Sequence, residues 1–286
     1  TNRQRNTKKA QQYHVAGLYT SYSYIKPAAT PMPLYLTQIH NVRLGPTTWC
    51  ANAHVNALAH KRINKPPYLS RYDLNTHIDD TQQWQYCREA ADISAPDRAQ
   101  QQRQLQRQGV RLLLQQLLTK LQIDDTLDES AFPYQLARSK YYVCFSHTGA
   151  KNTDDTDNSS TQPTSCLYNQ VAVILSQHRP AGIDIEANEV AWQVVRRFYA
   201  DKEKAVLQRL PAWQRDAIAK QLWQIKESYI KVYQYTLAQG LGIDYAYLIE
   251  GLIDSVIDDH HLMTVMDKKT GYCIAIIPRQ HIVIVF

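Results

Sequence analysis

The sequence predicts an α+β protein built from two similar lobes. Two long segments, residues 97–121 and residues 213–237, carry apolar side chains at helical spacing. Short apolar runs lie between and after these segments, and such runs are typical of strands. Each half of the chain offers one long basic amphipathic helix together with short strands, a faint similarity that would suit an internally duplicated fold.

In the first half, the region before residue 95 is rich in aromatic residues and prolines and predicts short strands and loops, with one helix near residues 49–62. Three apolar runs farther along predict strands, and we expect them to form one antiparallel set. These strands are expected at residues 141–147, 171–176 and 181–186.

In the second half, residues 190–210 predict a helix with Asp201 as a possible cap inside it. The helix predicted at 213–237 is the strongest of the chain, and we expect Gly240 and Gly242 to end it. After it the sequence predicts a turn at residues 267–271 and up to four strands. These strands are expected near residues 245–250, 262–266, 272–277 and 282–286.

This pattern suggests a domain organisation with three parts. Residues 1–12 are polar and basic and predict a disordered tail. The N-terminal lobe is expected at 13–180, with a flexible polar insertion at 150–168. The C-terminal lobe is expected at 181–286.

Composition narrows the class of protein. A net charge of +6 suits an anionic ligand or partner without naming one. The five cysteines show no CxxC or Cys/His spacing, which argues against a zinc site and favours free thiols in a reducing cytoplasm. No run approaches the roughly 20 apolar residues of a membrane span. We therefore expect a cytoplasmic protein that does not bind membranes.

The segment GIDIE at residues 182–186 is the first chemically informative pattern. Side chains alternate between the two faces of a strand, so Asp184 and Glu186 point the same way, about 7 Å apart, while Ile183 and Ile185 point into the core. Two such carboxylates can share a hard cation such as Mg²⁺. Taken alone, the pair fits a strand end with two solvated acids better than a metal site.

Two further patterns lie on either side of this segment. Glu227 and Lys231 are four residues apart on the predicted helix, so they share one face. The same spacing is also typical of an ordinary surface ion pair. Ser146 and His147 end a predicted strand. A histidine in this position can donate a hydrogen bond to a phosphate, or it can have a purely structural role.

Read in order, these patterns resemble those of the two-lobed, Sfp-type 4′-phosphopantetheinyl transferases. The similarity covers roughly residues 98–286, and its most specific part is 181–241. The matching motifs are Ser146-His147-Thr148, Gly182-Ile183-Asp184-Ile185-Glu186, Phe198 to Glu203, Trp223 with Lys226, Glu227 and Lys231, and Gln239-Gly240-Leu241.

The resemblance implies two αβ lobes related by a pseudo-twofold axis, in a monomer that carries its metal site in the C-terminal lobe. It implies transfer of 4′-phosphopantetheine from coenzyme A to a serine of an apo acyl or peptidyl carrier protein, with release of adenosine 3′,5′-bisphosphate. It implies that Asp184, Glu186 and Glu227 bind Mg²⁺. It also implies that Glu227 accepts a proton in catalysis and that Lys231 is a second catalytic residue. Coenzyme contacts are implied for Ser146, His147, Lys226, Lys231 and Arg107, and Glu203 would assist the metal or orient the base.

Two other interpretations remain open. A basic nucleic-acid-binding module could use the tail at 1–12 and the helix that begins near residue 98, although three converging carboxylates would repel nucleic-acid phosphates. The second interpretation is an inactive relative of the same fold. The retained acids and Lys231 argue against it. The transferase interpretation therefore predicts no nucleic-acid partner.

Overall fold

Two antiparallel sheets organise the chain in the computed structural model, which describes residues 34–57, 95–149, 169–257 and 262–286. All of these residues belong to one compact unit from Met32 to Phe286. The first sheet has the strand order β1-β2-β6-β5-β4-β3. Its strands are β1 Leu34–Gly45, β2 Thr48–Ala57, β3 Leu127–Asp128, β4 Tyr134–Leu136, β5 Tyr142–Gly149 and β6 Asn169–Ser176.

The second sheet has the strand order β7-β10-β9-β8. The described residues also form six α-helices, which confirms the mixed helix-and-sheet composition of the predicted class. The pseudo-twofold axis, the monomer and the lobe boundary at residue 180 stay predictions. The strands are β7 Gly182–Ile185, β8 Met263–Asp267, β9 Tyr272–Ile277 and β10 Ile282–Val285, and the helices are α1 Ala95–Lys120, α2 Trp192–Phe198, α3 Asp201–Leu207, α4 Ala212–Tyr233, α5 Leu237–Leu241 and α6 Ile249–Ile257.

Helix α1 covers the first sheet because its apolar residues form one stripe. Its bounds confirm the helix predicted at 97–121. The buried side chains recur at intervals of three and four residues, so they lie on the face that packs against β2 and β6. They are Val110, Leu113, Leu114, Leu117 and Leu118.

Helix α4 is the centre of the second core, where Leu222, Ile225 and Tyr229 are fully buried against the second sheet. It ends at Tyr233, earlier than predicted, because Gln234 takes a left-handed backbone conformation with φ +58°. The segment around Gly240 is a separate helix, α5, so the two glycines do not end α4.

The predictions for residues 49–62 and 245–250 and for the pairing of β7 were wrong. Residues 49–57 form most of β2 instead of a helix, because they pair with β1 on one side and β6 on the other; residues 58–62 lie outside the described part. Residues 245–250 form a short 3-10 helix and the start of α6, since Asp244 Oδ1 accepts from the Ala246 amide at 2.9 Å. Strand β7 pairs with β10 in the second sheet, although it was predicted to join β5 and β6.

The helix predicted at 190–210 is divided into α2 and α3 by extended backbone at Tyr199 and Ala200. Asp201 begins α3 and does not cap it. Strands β5, β6, β8, β9 and β10 and the turn at 267–271 confirm their predictions. The predicted tail at 1–12 and the insertion at 150–168 lie outside the described residues.

None of the helices in the described ranges has the length and apolar character that a transmembrane helix requires.

Candidate active site between strands β5 and β7 and helix α4

A cavity of about 410 Å³ lies where β5, β7 and α4 meet. Six of the nine residues with predicted site roles line it, which brings segments about 80 residues apart in the chain into one site. They are Ser146, His147, Asp184, Glu186, Glu227 and Lys231, and Phe145, Ile185 and Trp223 complete the lining.

Close packing of α4 on β7 brings the acids from these two elements together. A Cβ atom on Gly182 would lie 2.0 Å from the carbonyl oxygen of Ser228, so only glycine allows the helix backbone to approach the strand this closely. The Ser228 hydroxyl donates to the Val283 carbonyl at 3.2 Å. Gln224 Nε2 donates to the His281 carbonyl at 2.6 Å. These contacts hold Glu227, between them in sequence, at the edge of the second sheet.

Alternation along β7 directs its side chains as the sequence predicts. Ile183 and Ile185 pack in an apolar core between the two sheets. Asp184, which is 8% exposed, points to the cavity. Glu186 lies directly after the strand and lines the same cavity.

Two hydroxyl groups on β5 hold the two acids of this segment. The Ser146 hydroxyl donates to Asp184 Oδ1 at 3.1 Å, and the Thr148 hydroxyl donates to Glu186 Oε1 at 3.3 Å. The donors are two residues apart on one strand and the acceptors are two residues apart on the other, so strand β5 matches the acid pair in spacing. Glu186 Oε1 also accepts from the backbone and side-chain amides of Asn188, both at 2.8 Å.

Lys231 provides the positive charge of the cavity. Its ammonium group lies 3.0 Å from Asp184 Oδ1 and donates to the Ile183 carbonyl at 2.6 Å. Burial favours the neutral amine, but the nearby groups, with the Asp184 carboxylate first among them, together outweigh burial and raise the pKa of Lys231 above its usual value. Lys231 therefore stays charged at neutral pH.

Glu227 and His147 have shifted pKa values for different reasons. Burial raises the pKa of the Glu227 carboxyl, and the negative charges of Asp184 and Glu186 raise it further. Partial burial lowers the pKa of His147, and the positive charges of Lys231 and Arg107 add to this effect. Glu227 is consequently a stronger proton acceptor than an exposed glutamate, and His147 is neutral at pH 7.

The donor chemistry of the three acids suits a magnesium ion, since hard cations prefer carboxylate oxygens. The side chains as they stand do not form a finished metal site. Among the described residues, no three His, Cys, Asp or Glu side chains are grouped closely enough to hold a metal. Asp184 is instead paired with Lys231, and Glu186 is engaged by Thr148 and Asn188.

Lys226 lies away from the cavity, and its position does not fit the predicted phosphate contact. Its ammonium group is fully buried and lies 2.9 Å from Glu203 Oε1. It also donates to the carbonyl groups of Leu241 and Ile243. Because all three N–H groups are used inside the protein, none points to the cavity.

Glu203 is likewise a buried structural residue, and its position does not fit the role predicted at the metal or the base. Its carboxylate accepts from the backbone amides of Ala200 at 2.8 Å and Tyr245 at 2.9 Å, in addition to Lys226. It therefore joins the start of α3 to α4 and to the turn before α6.

Arg107 lies on the exposed side of α1, outside the cavity. It lines a separate cavity of about 340 Å³ with Gln100, Arg103 and Gln104. Its charge still acts on the His147 imidazole. The predicted pairing of these two residues on one phosphate stays a prediction.

Three residues that hold the site carried no predicted role: Thr148, Asn188 and Gln224. Thr148 could have been found, because it follows Ser146 by two residues on a strand and so faces the same way. Gln224 bonds to a carbonyl 57 residues away, and no local pattern predicts such a contact.

The comparisons with known proteins agree with this location. No curated protein matches the chain. The family model of the 4′-phosphopantetheinyl transferase superfamily matches residues 180–261, and this segment contains Asp184, Glu186, Glu227 and Lys231.

Proposed function

We propose that the protein transfers the 4′-phosphopantetheine group of coenzyme A to a serine of an apo acyl or peptidyl carrier protein. Adenosine 3′,5′-bisphosphate is the second product. The observation that carries this proposal is the convergence of Asp184, Glu186, Glu227 and Lys231 on one cavity within the matched segment. A transferase of this superfamily has coenzyme A and a carrier protein as its general partners.

The proposed reaction is one displacement at phosphorus. The acceptor serine oxygen bonds to the phosphorus that carries pantetheine, and the bond from that phosphorus to the bridging pyrophosphate oxygen breaks. The serine proton passes to Glu227, whose raised pKa favours its acceptance. Lys231 stabilises the negative charge that develops on the leaving phosphate. The protein acts mainly by position and charge, as is usual in phosphoryl transfer.

Mg²⁺ is the proposed metal, and Asp184, Glu186 and Glu227 are the residues that would hold it. When bound, it would neutralise charge on the pyrophosphate. A cation is needed at this position because three carboxylates alone would repel an anionic donor. In the absence of that cation, the same repulsion would act on nucleic-acid phosphates and argues against the nucleic-acid-binding alternative.

Coenzyme recognition is assigned to the β5 side of the cavity. His147 is exposed at this rim, and a ring N–H of its imidazole would donate to the 3′-phosphate. Arg107 would contribute its charge from α1. Ser146 would meet the coenzyme only by giving up its contact with Asp184.

The direct test is to incubate the protein with coenzyme A, Mg²⁺ and several apo carrier proteins. We expect mass spectrometry to show a gain of one phosphopantetheine group on the carrier serine, and adenosine 3′,5′-bisphosphate to appear in equal amount. Removal of Mg²⁺ with a chelator should stop the gain. An unchanged mass for every carrier would refute the proposed function.

Thr148 provides a test of how the acids are held. In Thr148→Val the shape is kept but Glu186 loses its hydroxyl donor, so we expect the Mg²⁺ concentration for half-maximal rate to rise roughly 10- to 100-fold. Thr148→Ser should restore a value near that of the wild type. The matched control is Thr119→Val, which removes a hydroxyl from the exposed side of α1. Equal Mg²⁺ requirements for the valine and serine variants at 148 would contradict this role.

A further inference from the structure

A second and larger cavity, of about 660 Å³, lies beside the N-terminal half of α4. Helix α2 and the adjoining ends of β9 and β10 form its other sides. It shares no lining residue with the candidate active site. Its volume lies within the range of sites for small organic ligands, about 300–1,000 Å³.

One part of the lining of this cavity is apolar and aromatic. Trp213 is 59% exposed at its side, although a large exposed aromatic group gains nothing from water. Trp192 stands at the start of α2 and also lines the cavity. Aliphatic side chains complete the apolar lining, namely Val190, Val256, Ile276, Ile277, Pro278 and Ile282.

The cavity carries its positive charge inside and its negative charge at the rim. The Lys220 side chain is only 9% exposed, whereas the side chain of Glu189 is 72% exposed. Arg215 lies over the Trp192 ring, 5.3 Å from its centroid, and its partner Asp216 is 55% exposed. An anionic group that enters the cavity therefore meets cations that are more deeply buried than the acids.

Lys220 has weak contacts for a buried ammonium group. Its nitrogen lies 3.4 Å from the Ala187 carbonyl oxygen and 3.7 Å from Glu189 Oε1. The first distance is at the long end for a hydrogen bond and the second exceeds it. An ammonium group has three donors, so capacity remains for a stronger acceptor within the cavity.

We propose that this cavity binds an organic anion with an apolar body, whose carboxylate or sulfonate group pairs with Lys220. The aromatic or aliphatic body would lie against Trp213, Trp192 and the aliphatic lining. The proposal is independent of the transfer reaction, since none of these residues has a role in it.

The probe for this site is 8-anilino-1-naphthalenesulfonate, added to the folded full-length chain. We expect one saturable site, with energy transfer from the tryptophans to the probe. N-phenyl-1-naphthylamine has the same rings without the sulfonate, and it should bind about tenfold more weakly because it forms no charge-assisted contact. Equal affinity of the two probes, or binding that does not saturate, would overturn the proposal.

Two variants locate the binding. Lys220→Met keeps the length of the side chain and should weaken sulfonate binding about tenfold while leaving the uncharged probe unaffected. Trp213→Ala should weaken both probes, and because this residue is largely exposed the variant should fold even if Lys220→Met does not. The matched control is Lys202→Met, at a side chain that is 83% exposed on α3. Wild-type affinity in Trp213→Ala would exclude this cavity.

Competition then identifies the ligand body. Displacement of the sulfonate probe by decanoate would indicate an aliphatic carboxylate, and displacement by 2-naphthoate an aromatic one. Either result supports the proposal. Failure of both to displace the probe would overturn the carboxylate part of the proposal.

Discussion

Replacement of Glu227 by glutamine is expected to lower the rate of phosphopantetheine transfer by roughly 10²- to 10⁴-fold. Glutamine keeps the volume of the side chain and removes its charge. The variant therefore loses the proton acceptor for the carrier serine and one proposed oxygen ligand for Mg²⁺, while α4 keeps its packing. The measurement is the initial rate of holo-carrier formation at saturating coenzyme A and Mg²⁺.

A control and a partner variant make this result specific. Glu250→Gln changes an exposed glutamate on α6 and should leave the rate unchanged. Asp184→Asn removes a proposed metal ligand but not the proton acceptor, so added Mg²⁺ should recover part of its rate, whereas Glu227→Gln should recover less. A Glu227→Gln variant with more than half of the wild-type rate would disprove the role of this residue in the reaction.

Which face of a strand or helix each site side chain occupies was predictable, because the spacing of residues within that element determines it. Asp184 and Glu186 are two residues apart next to a strand, and Glu227 and Lys231 are four residues apart on a helix. These spacings place each pair on one face. The expectation that both pairs belong to one site rested on the order of the motifs. In the structure, both pairs line the same cavity.

Contacts between distant segments explain what the sequence did not predict. Lys226 is adjacent to Glu227, but a helix turns about 100° per residue, so the two side chains leave α4 in different directions. The direction of Lys226 follows from Glu203 and from carbonyl groups of the 241–243 turn. The helix predicted at residues 49–62 failed similarly, since pairing with β1 and β6 outweighs local preference.

The buried pair of Glu203 and Lys226 leads to the second large prediction. Both side chains are 0% exposed. In Glu203→Gln the lysine keeps its charge without a counter-charge, so we expect the free energy of unfolding to fall by about 3–5 kcal/mol at pH 7. Lys226→Met leaves the carboxylate unpaired and should have a similar cost. Denaturant unfolding at constant pH measures both changes.

The double variant and the pH dependence distinguish loss of charge pairing from loss of packing. Glu203→Gln with Lys226→Met contains no unpaired charge, so its cost should be well below the sum of the two single costs. Burial already lowers the pKa of Lys226, and loss of Glu203 removes the nearby charge that opposes this shift.

In Glu203→Gln the unfolded chain therefore holds the lysine proton up to about pH 10.4, and the folded protein releases it at lower pH. Between these two pKa values the unfolded state binds more protons, so stability rises with pH. The deficit of Glu203→Gln relative to the wild type should consequently shrink from pH 7 to pH 10. Additive costs together with a deficit that does not change with pH would mean that the pair contributes by shape alone.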